Sequence, residues 1–589
     1  MKWMGRIKDK LAGLNKAVAR FPLTTLFLLG AAMINAYSIS TEKDHSKFLL
    51  TFVFGALLSA VLQVAYERFF SRFSARAALM GASALLTAGY YFIIMAAPKL
   101  SMEIEIRTAV ALFALLIAFI WVPVIKSEIC FNKSFMIAFK SLFNSLFFSG
   151  VIFAGVNIIL TAINVLIAAI DYTAYPHAAN IVFIIFAPMY FLSLIPVYPG
   201  KEPKNAGYRK EAIDKAAYCP KFLEILISYI VIPLIAVFTL ILVIYIAKNI
   251  GGEFWTDNLL EPMLVSYAIT VILVYILASE IENKFTAFFR KVFPKVLVPI
   301  VIFQIASSIL SLADTGVTHT RYYVILFGIF AAIAGILLSF LPIRKNGVIA
   351  ALLIIFAAIS IVPPVDAFTI SRNSQIDTLE NVLVKNNMLE NNKIKPKSSI
   401  PDKDKQTITK AIQYLSMMEY TKKIEWLPDD FDVYKDFQDT FGFEEYQEPA
   451  DFNQGVYLGI EQPAPIAITG FDTFVQTDIY TDSKNRDEKI CDIEKDGKMY
   501  TLLKDFKEGQ INLKLMGEDD EELIRFQTEE IYDKFSGYNA AKSLMSVEEA
   551  TFTKENSRAK MMVVVQNVAI EKRNKQHNNA VLFVFVQIK

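Results

Sequence analysis

SYIVIPLIAVFTLILVIYIAKNI, Ser228 to Ile250, holds twenty residues between Ser228 and Ala247 without a charge. As a helix rising about 1.5 Å per residue it reaches about 30 Å, the thickness of a hydrocarbon core. A soluble domain has no use for such a helix, and the rest of the chain agrees. Hydrophobic residues make up 54% of the 589, with 47 Phe and a mean hydropathy of +0.40, too apolar for an ordinary soluble enzyme. Runs of this kind recur up to about Val365 and then cease.

Eleven spans follow, at 21–40, 48–66, 77–97, 108–125, 146–170, 179–198, 222–247, 262–279, 296–313, 322–341 and 348–365. About twenty residues precede the first, with no small-residue cleavage site after it, so it is expected to stay in the mature protein. Lys and Arg gather on the cytoplasmic side of short loops. Alternate segments hold 24 of them, from Lys2 and Arg20 through Arg68, Arg76, Lys210 and Arg290 to Lys345, whereas the intervening loops hold six: Lys43, Lys47, Lys99, Arg107, Lys248 and Arg321. This alternation predicts a cytoplasmic amino terminus and, with an odd span number, an extracytoplasmic carboxyl terminus, as expected of a plasma-membrane protein. The expected organisation is a basic cytoplasmic segment at 1–20, an α-helical transmembrane bundle at 21–365 and a soluble α+β domain at 366–589.

The net charge of +1 conceals a division: residues through 365 carry 30 basic and 18 acidic side chains, and the remainder 29 and 40. The basic excess suits anionic cytoplasmic lipid. An acidic outer domain excludes nucleic acid as the expected partner and leaves the bilayer and an extracytoplasmic protein or envelope ligand; the sequence leaves the oligomeric state open. Cys130 and Cys219 fall on one side and Cys491 on the other, so no disulfide between the two sides is expected.

After the last span, SQIDTLENVLVKNNMLENNKI predicts a helix starting near Ser374, and PDKDKQTITKAIQYLSMMEY a second starting near Pro401. APIAITGF, DIEKDGKMYTLL with an Asp496–Gly497 turn, INLKLMG, KMMVVVQNVAIEK and NAVLFVFVQIK predict strands, the last two a terminal hairpin.

Motifs for chemistry are missing. The chain has no phosphate-binding glycine loop, no His-Glu-x-x-His, no Cys-x-x-Cys and no Gly-x-Ser-x-Gly, so no catalytic residue, cofactor or metal is assigned. Its four histidines, His45, His177, His319 and His577, all fall on the predicted outer side. Two spans carry polar stripes: Asn157, Thr161 and Asn164 share a face of the fifth with Gly150, Ala154, Ala168 and Asp171, and Gln304, Ser308 and Ser311 share a face of the ninth with Ser307 and Asp314. Such stripes either line a polar pathway or let helices approach closely and bond across the contact. In the seventh span Pro233 removes a backbone hydrogen bond and is expected to kink the helix, and Lys221 is placed to pair with Glu224.

YIVIPL, TGVTHTRYYVILFG with its Thr-x-x-Arg-Tyr core, ISRNSQIDTLENVLVKNNML and FPLTTLFLL resemble, in this order of segments, the domain-of-unknown-function family 4153. That resemblance implies a bacterial multi-pass membrane protein and assigns no activity or site residue. Within SLADTGVTHTRYYVILFG, Ser311 to Gly328, the outer turn places Thr318 or Thr320 to cap the next helix, Arg321 to reach lipid phosphate, and Tyr322 and Tyr323 in the aromatic belt. Alternatively Asp171, Asp314, His319 and Arg321 form an outer-face cluster directed at the outer domain or a ligand. Three classes of function remain: an envelope-associated sensor, scaffold or assembly protein; a transporter or channel-like protein using the stripes; and, behind these, a membrane-embedded transferase.

Overall fold

The computed structural model describes residues 12–97, 99–200, 206–249, 261–428, 430–446, 456–480, 487–507, 510–519, 521–538, 543–571 and 578–589. Among them, eleven helices are long and apolar enough to cross a membrane: Pro22–Thr41, Ser46–Phe69, Phe73–Met95, Met102–Val124, Phe131–Leu166, Ala174–Leu194, Lys221–Lys248, Glu261–Ala278, Lys284–Leu310, His319–Phe340 and Ile343–Ile361. The protein is a multi-pass membrane protein. The fifth helix runs 36 residues from Phe131, about 54 Å at the standard rise, and the ninth continues to Thr315. Both start well before their apolar runs, because the spans extend into charged turns such as Lys284–Lys295 that a hydropathy window excludes.

The chain forms two compact units, Met1–Glu445 and Tyr446–Lys589. The first therefore contains, besides the spans, the segment after Val365 that the sequence reading grouped with the strands. Within it the first span packs on the second, the second on the third and fourth, the ninth on the eighth and tenth, and the fourth on the eleventh. Small residues set some of these distances. A Cβ on Gly335 of the tenth span would lie 2.9 Å from Val298 Cγ2 and 3.1 Å from the Pro294 carbonyl oxygen of the ninth, a spacing only glycine tolerates.

Pro233 is preceded by a wide π turn, Leu226–Val231, and Pro188 by another, Ile181–Phe186. Each proline lacks the N–H that would satisfy a carbonyl one turn back, and widening the preceding turn is a recurrent way for a helix to absorb the change. Lys221 lies 3.6 Å from the Glu224 carboxylate.

At the end opposite the last span's exit, three partly buried arginines hold chain segments together. Arg20 makes a two-pronged pair with Glu67 at 2.8 and 2.7 Å and donates to the Ile195 carbonyl at 2.6 Å. Arg68 donates to the carbonyls of Ile125, Pro199 and Lys126. Arg76 reaches Gln63 and the Arg20 carbonyl.

The second unit is built from strands. Thr473–Tyr480, Asn579–Ile588, Ala559–Ile570, Val456–Ile460 and Leu544–Met545 lie side by side in one sheet, with Thr551–Glu555 also on Ala559–Ile570; Glu488–Lys495, Lys498–Lys507, Gln510–Met516 and Glu522–Gln527 form a second. The expected antiparallel pairing of the last two strands is present, Val563 opposite Val584, and Asp496 and Gly497 turn a hairpin with φ of 52° and 75°. The inward residues of both sheets, among them Leu458, Leu513, Phe526, Val563 and Val584, are completely buried. APIAITGF is not a strand: residues 461–470 are irregular, since Pro463 and Pro465 cannot donate to a ladder.

Candidate functional site

The face at which the eleventh span ends, here the exit face, carries three further helices. Ala367–Lys385, Asp402–Met417 and Val433–Phe441 form a cap around Phe368, Leu379, Leu383, Ile408, Ile412, Leu415 and Phe441, all nearly inaccessible. The first cap helix starts two turns before the expected Ser374. Asp366 is its N-cap, its carboxylate accepting from the amides of Phe368 and Thr369 at 3.0 and 3.1 Å, which satisfies donors that a helix start leaves open.

Arg107, counted from sequence as one more loop cation, joins three elements here. It sits in the second turn of the fourth span and donates to the Ile361 carbonyl at 2.9 Å and to Asp366 at 2.7 Å. It also pairs with Glu103 at 2.8 Å, and its guanidinium lies 5.2 Å from the Phe368 ring centre. The Asp366 side chain is wholly buried. Burial pushes its carboxyl up, but the Thr369 and Phe368 hydrogen bonds and the Arg107 charge outweigh that and leave it below the usual carboxylate range.

The turn inside SLADTGVTHTRYYVILFG is received by the same cap. Gly316, at φ +66°, lies so close to the first cap helix that a Cβ would stand 2.7 Å from Thr378 Oγ1. The Val317 amide donates to Ser374 at 2.9 Å, and Gln375 donates to the Val317 carbonyl at 3.2 Å. The His319 amide donates to the Tyr414 hydroxyl at 3.0 Å, that hydroxyl donates to Ser371 at 2.9 Å, and His319 Nδ1 lies 3.0 Å from it. The His319 ring stacks on Phe368. Thr318 caps the tenth span, accepting from the Arg321 amide. Tyr322 and Tyr323 pack against the cap's core, and Tyr322 donates to the Val365 carbonyl at 2.6 Å.

Beside these contacts a cavity of 540 Å³ opens between the linker joining the third and fourth spans and the end of the second cap helix. Lys99, Ser101 and Glu103 line one side, and Ser416, Glu419, Tyr420, Lys422 and Lys423 the other. Tyr420 donates to Glu103 at 2.7 Å; burial and the Glu103 charge push its phenol far above its ordinary value. Lys99 pairs with Glu419 at 2.5 Å. Lys423 lies 5.3 Å and Arg372 5.8 Å from the Tyr420 ring centre. Partial burial, then the neighbouring Arg372 charge, hold the Lys423 ammonium below its usual range, with Glu103 acting in the opposite sense.

The remaining predicted residues are dispersed. Asn157 donates to its own helix at Phe153, Thr161 lies 3.3 Å from the Tyr175 hydroxyl, and Asn164 accepts from the Ile170 amide past the helix end. Gln304 is buried and donates to the Val324 carbonyl at 3.2 Å; Ser308 bonds the Glu261 carboxylate. Asp171 accepts from the Thr173 amide in an exposed turn. His319 is thus the member of the proposed outer cluster that meets the cap through its ring. The side chains of Ser311 and Asp314, and all of His577, lie outside the described residues. Arg107, Glu103, Asp366 and Tyr420 were missed; the available signal was the Asp366 capping position directly after the last apolar run.

Residues 23–392 match the family described as "Domain of unknown function (DUF4153)". This is more than half of the chain, which therefore belongs to that family. The match contains all eleven spans, Arg107, Asp366 and the first cap helix, and ends before Tyr420 and the strand-rich unit. No curated protein and no solved structure matches the chain.

Proposed function

We propose that this protein is an envelope-associated sensor, scaffold or assembly protein, in which the membrane bundle anchors the cap and the strand-rich unit on the extracytoplasmic side. The observation that carries the reading is the fastening of the cap to the exit face through Arg107, Asp366, His319 and Tyr420, beside a cavity walled by both span linker and cap. A transporter needs its spans to move relative to one another, whereas these bonds hold the ends of the fourth, tenth and eleventh spans to one body. The acidic segment after Val365, net −11 from 29 basic and 40 acidic residues, favours a protein or envelope ligand over nucleic acid.

Sidedness is tested by placing single cysteines at Tyr434, 90% exposed on the cap, and at Tyr457, 63% exposed on a strand, after replacing Cys130, Cys219 and Cys491 with Ser. A membrane-impermeant maleimide should label both in sealed cells. Labelling only after permeabilisation overturns the reading.

A transporter reading draws on one specific feature. Glu261, at the start of the eighth span, bonds Ser308 of the ninth, next to the completely buried Gln304, whose side-chain oxygen has no hydrogen-bond partner among the described residues. Loss of solute flux with intact folding in Gln304→Leu would favour it.

A further inference from the structure

We propose that the exit-face cavity between the third-to-fourth span linker and the cap binds a phosphate group, carried by a lipid headgroup or free in solution, through Lys422 and Lys423. The proposal rests on the extracytoplasmic anchoring described above and gives that site its ligand class.

Charge is the first argument. The cap segment 366–445 is acidic, with 11 basic and 15 acidic residues, yet three lysines line this one cavity with Arg372 just behind Tyr420. Its two carboxylates are engaged: Glu103 by Arg107 and Tyr420, Glu419 by Lys99. Lys422 and Lys423, consecutive on the turn Thr421–Lys423, have no carboxylate within ion-pair distance among the described residues. Adjacent ammonium groups beside the Arg372 guanidinium repel one another, and an anion placed among them relieves that repulsion. The partial burial and cationic neighbours that weaken Lys423's hold on its proton act the same way.

Shape and position point to phosphate. A volume of 540 Å³ lies within the roughly 300–1,000 Å³ of small-ligand sites. Ser101, Ser416 and Thr421 line the same cavity as the lysines, and hydroxyl-bearing residues suit a tetrahedral anion with several acceptor oxygens. The linker Ala97–Ser101 joins two spans, so the cavity opens at the height of lipid headgroups, with Ala97 and Met418 supplying apolar lining.

The test uses the full-length protein in nanodiscs of phosphatidylcholine with or without phosphatidylglycerol, and inorganic phosphate as the soluble probe. Native mass spectrometry should find phosphatidylglycerol retained by the wild type and by Lys435→Ala, and lost from Lys422→Gln/Lys423→Gln. If no lipid is retained, but calorimetry shows inorganic phosphate binding that weakens at least tenfold in the double variant, free phosphate is the ligand. The double variant must keep the wild-type melting midpoint in phosphatidylcholine discs; Lys422→Arg/Lys423→Arg, which keeps both charges, should bind as wild type. Binding of neither probe, or equal binding by the double Gln variant, overturns the proposal. External labelling of Tyr434→Cys with no phosphate binding removes this inference alone, whereas internal labelling removes the anchoring whatever phosphate does.

Discussion

Replacing Asp366 should loosen the cap from the bundle by an amount that two variants can divide. The carboxylate both caps the first cap helix and neutralises Arg107. Loss of an N-cap costs about 1 kcal/mol. Breaking a fully buried ion pair costs about 3–5 kcal/mol, but Arg107 is 25% exposed and keeps Glu103 at 2.8 Å, so about 1–2 kcal/mol is expected here. Asp366→Ala removes both contributions and should destabilise by about 2–3 kcal/mol, about 30- to 150-fold in the folding equilibrium. Asp366→Asn keeps a good cap and should lose only about 1–2 kcal/mol. Chemical unfolding followed by tryptophan fluorescence reports on the cap once Trp3, Trp121 and Trp255 are replaced by Phe, since Trp426 packs against the cap's core. The pH dependence has a definite sign. A carboxyl held below its unfolded value, about 3.9, contributes stability that is present above that pH and is lost as pH falls through the folded value. The deficit of Asp366→Ala should therefore shrink below about pH 4. If both variants stayed within about 0.5 kcal/mol of wild type at neutral pH, the ordinary range for an uninvolved surface change, Asp366 would not fasten the cap.

Gly316→Ala should destabilise the exit face by more than about 1 kcal/mol, because the new methyl would meet Thr378 at 2.7 Å at a φ of +66°; trypsin cleavage within the cap should become faster, and an unchanged rate would count against the packing described. Asn157→Leu/Asn164→Leu should leave abundance and melting within about 1 kcal/mol of wild type, near the small values typical of polar contacts between membrane helices, since Asn157 bonds its own helix and Asn164 a following loop; selective loss of a phenotype with intact folding would promote the transporter reading. Tyr420→Phe should cost about 1–3 kcal/mol by leaving Glu103 short of one donor, measurable in the same unfolding assay; no effect would show that water replaces the phenol freely.

Hydropathy made the bundle legible because the rule linking sequence to span is local: apolar residues must persist for the thickness of the membrane. Strand alternation and the Asp496–Gly497 turn were legible for the same reason, and the 461–470 segment misled because APIAITGF has strand composition, but Pro463 just before it and Pro465 within it cannot donate to a ladder. The site was hidden by distance along the chain. Arg107 and Asp366 are separated by 259 positions and Glu103 and Tyr420 by 317, so nothing near Arg107 announces its partner. His319 drew attention as an ionisable residue in a short turn, and its meeting with Tyr414 rests on a cap helix whose packing against that turn no periodicity encodes. The start of the first cap helix was missed because Ala367–Ile370 reads as a continuation of apolar sequence, and the capping Asp366 is outweighed in any averaged window.

Arg20, Arg68 and Arg76 belong to the set of basic residues whose asymmetry orients the sequence reading, and in the folded protein each is occupied by helix-end carbonyls or by Glu67. Under the orientation proposed above their two roles are separated in time: a guanidinium would resist translocation while the chain is being inserted, then become a clasp between loops once the spans have assembled. Neutralising one of them to invert the topology would also undo a clasp, so a reporter that changes sides could reflect failed assembly as readily as altered orientation. Lys210, 55% exposed and paired with the 83% exposed Glu128 at 2.9 Å, is a cleaner handle, and neutralising it leaves the three arginine clasps closed.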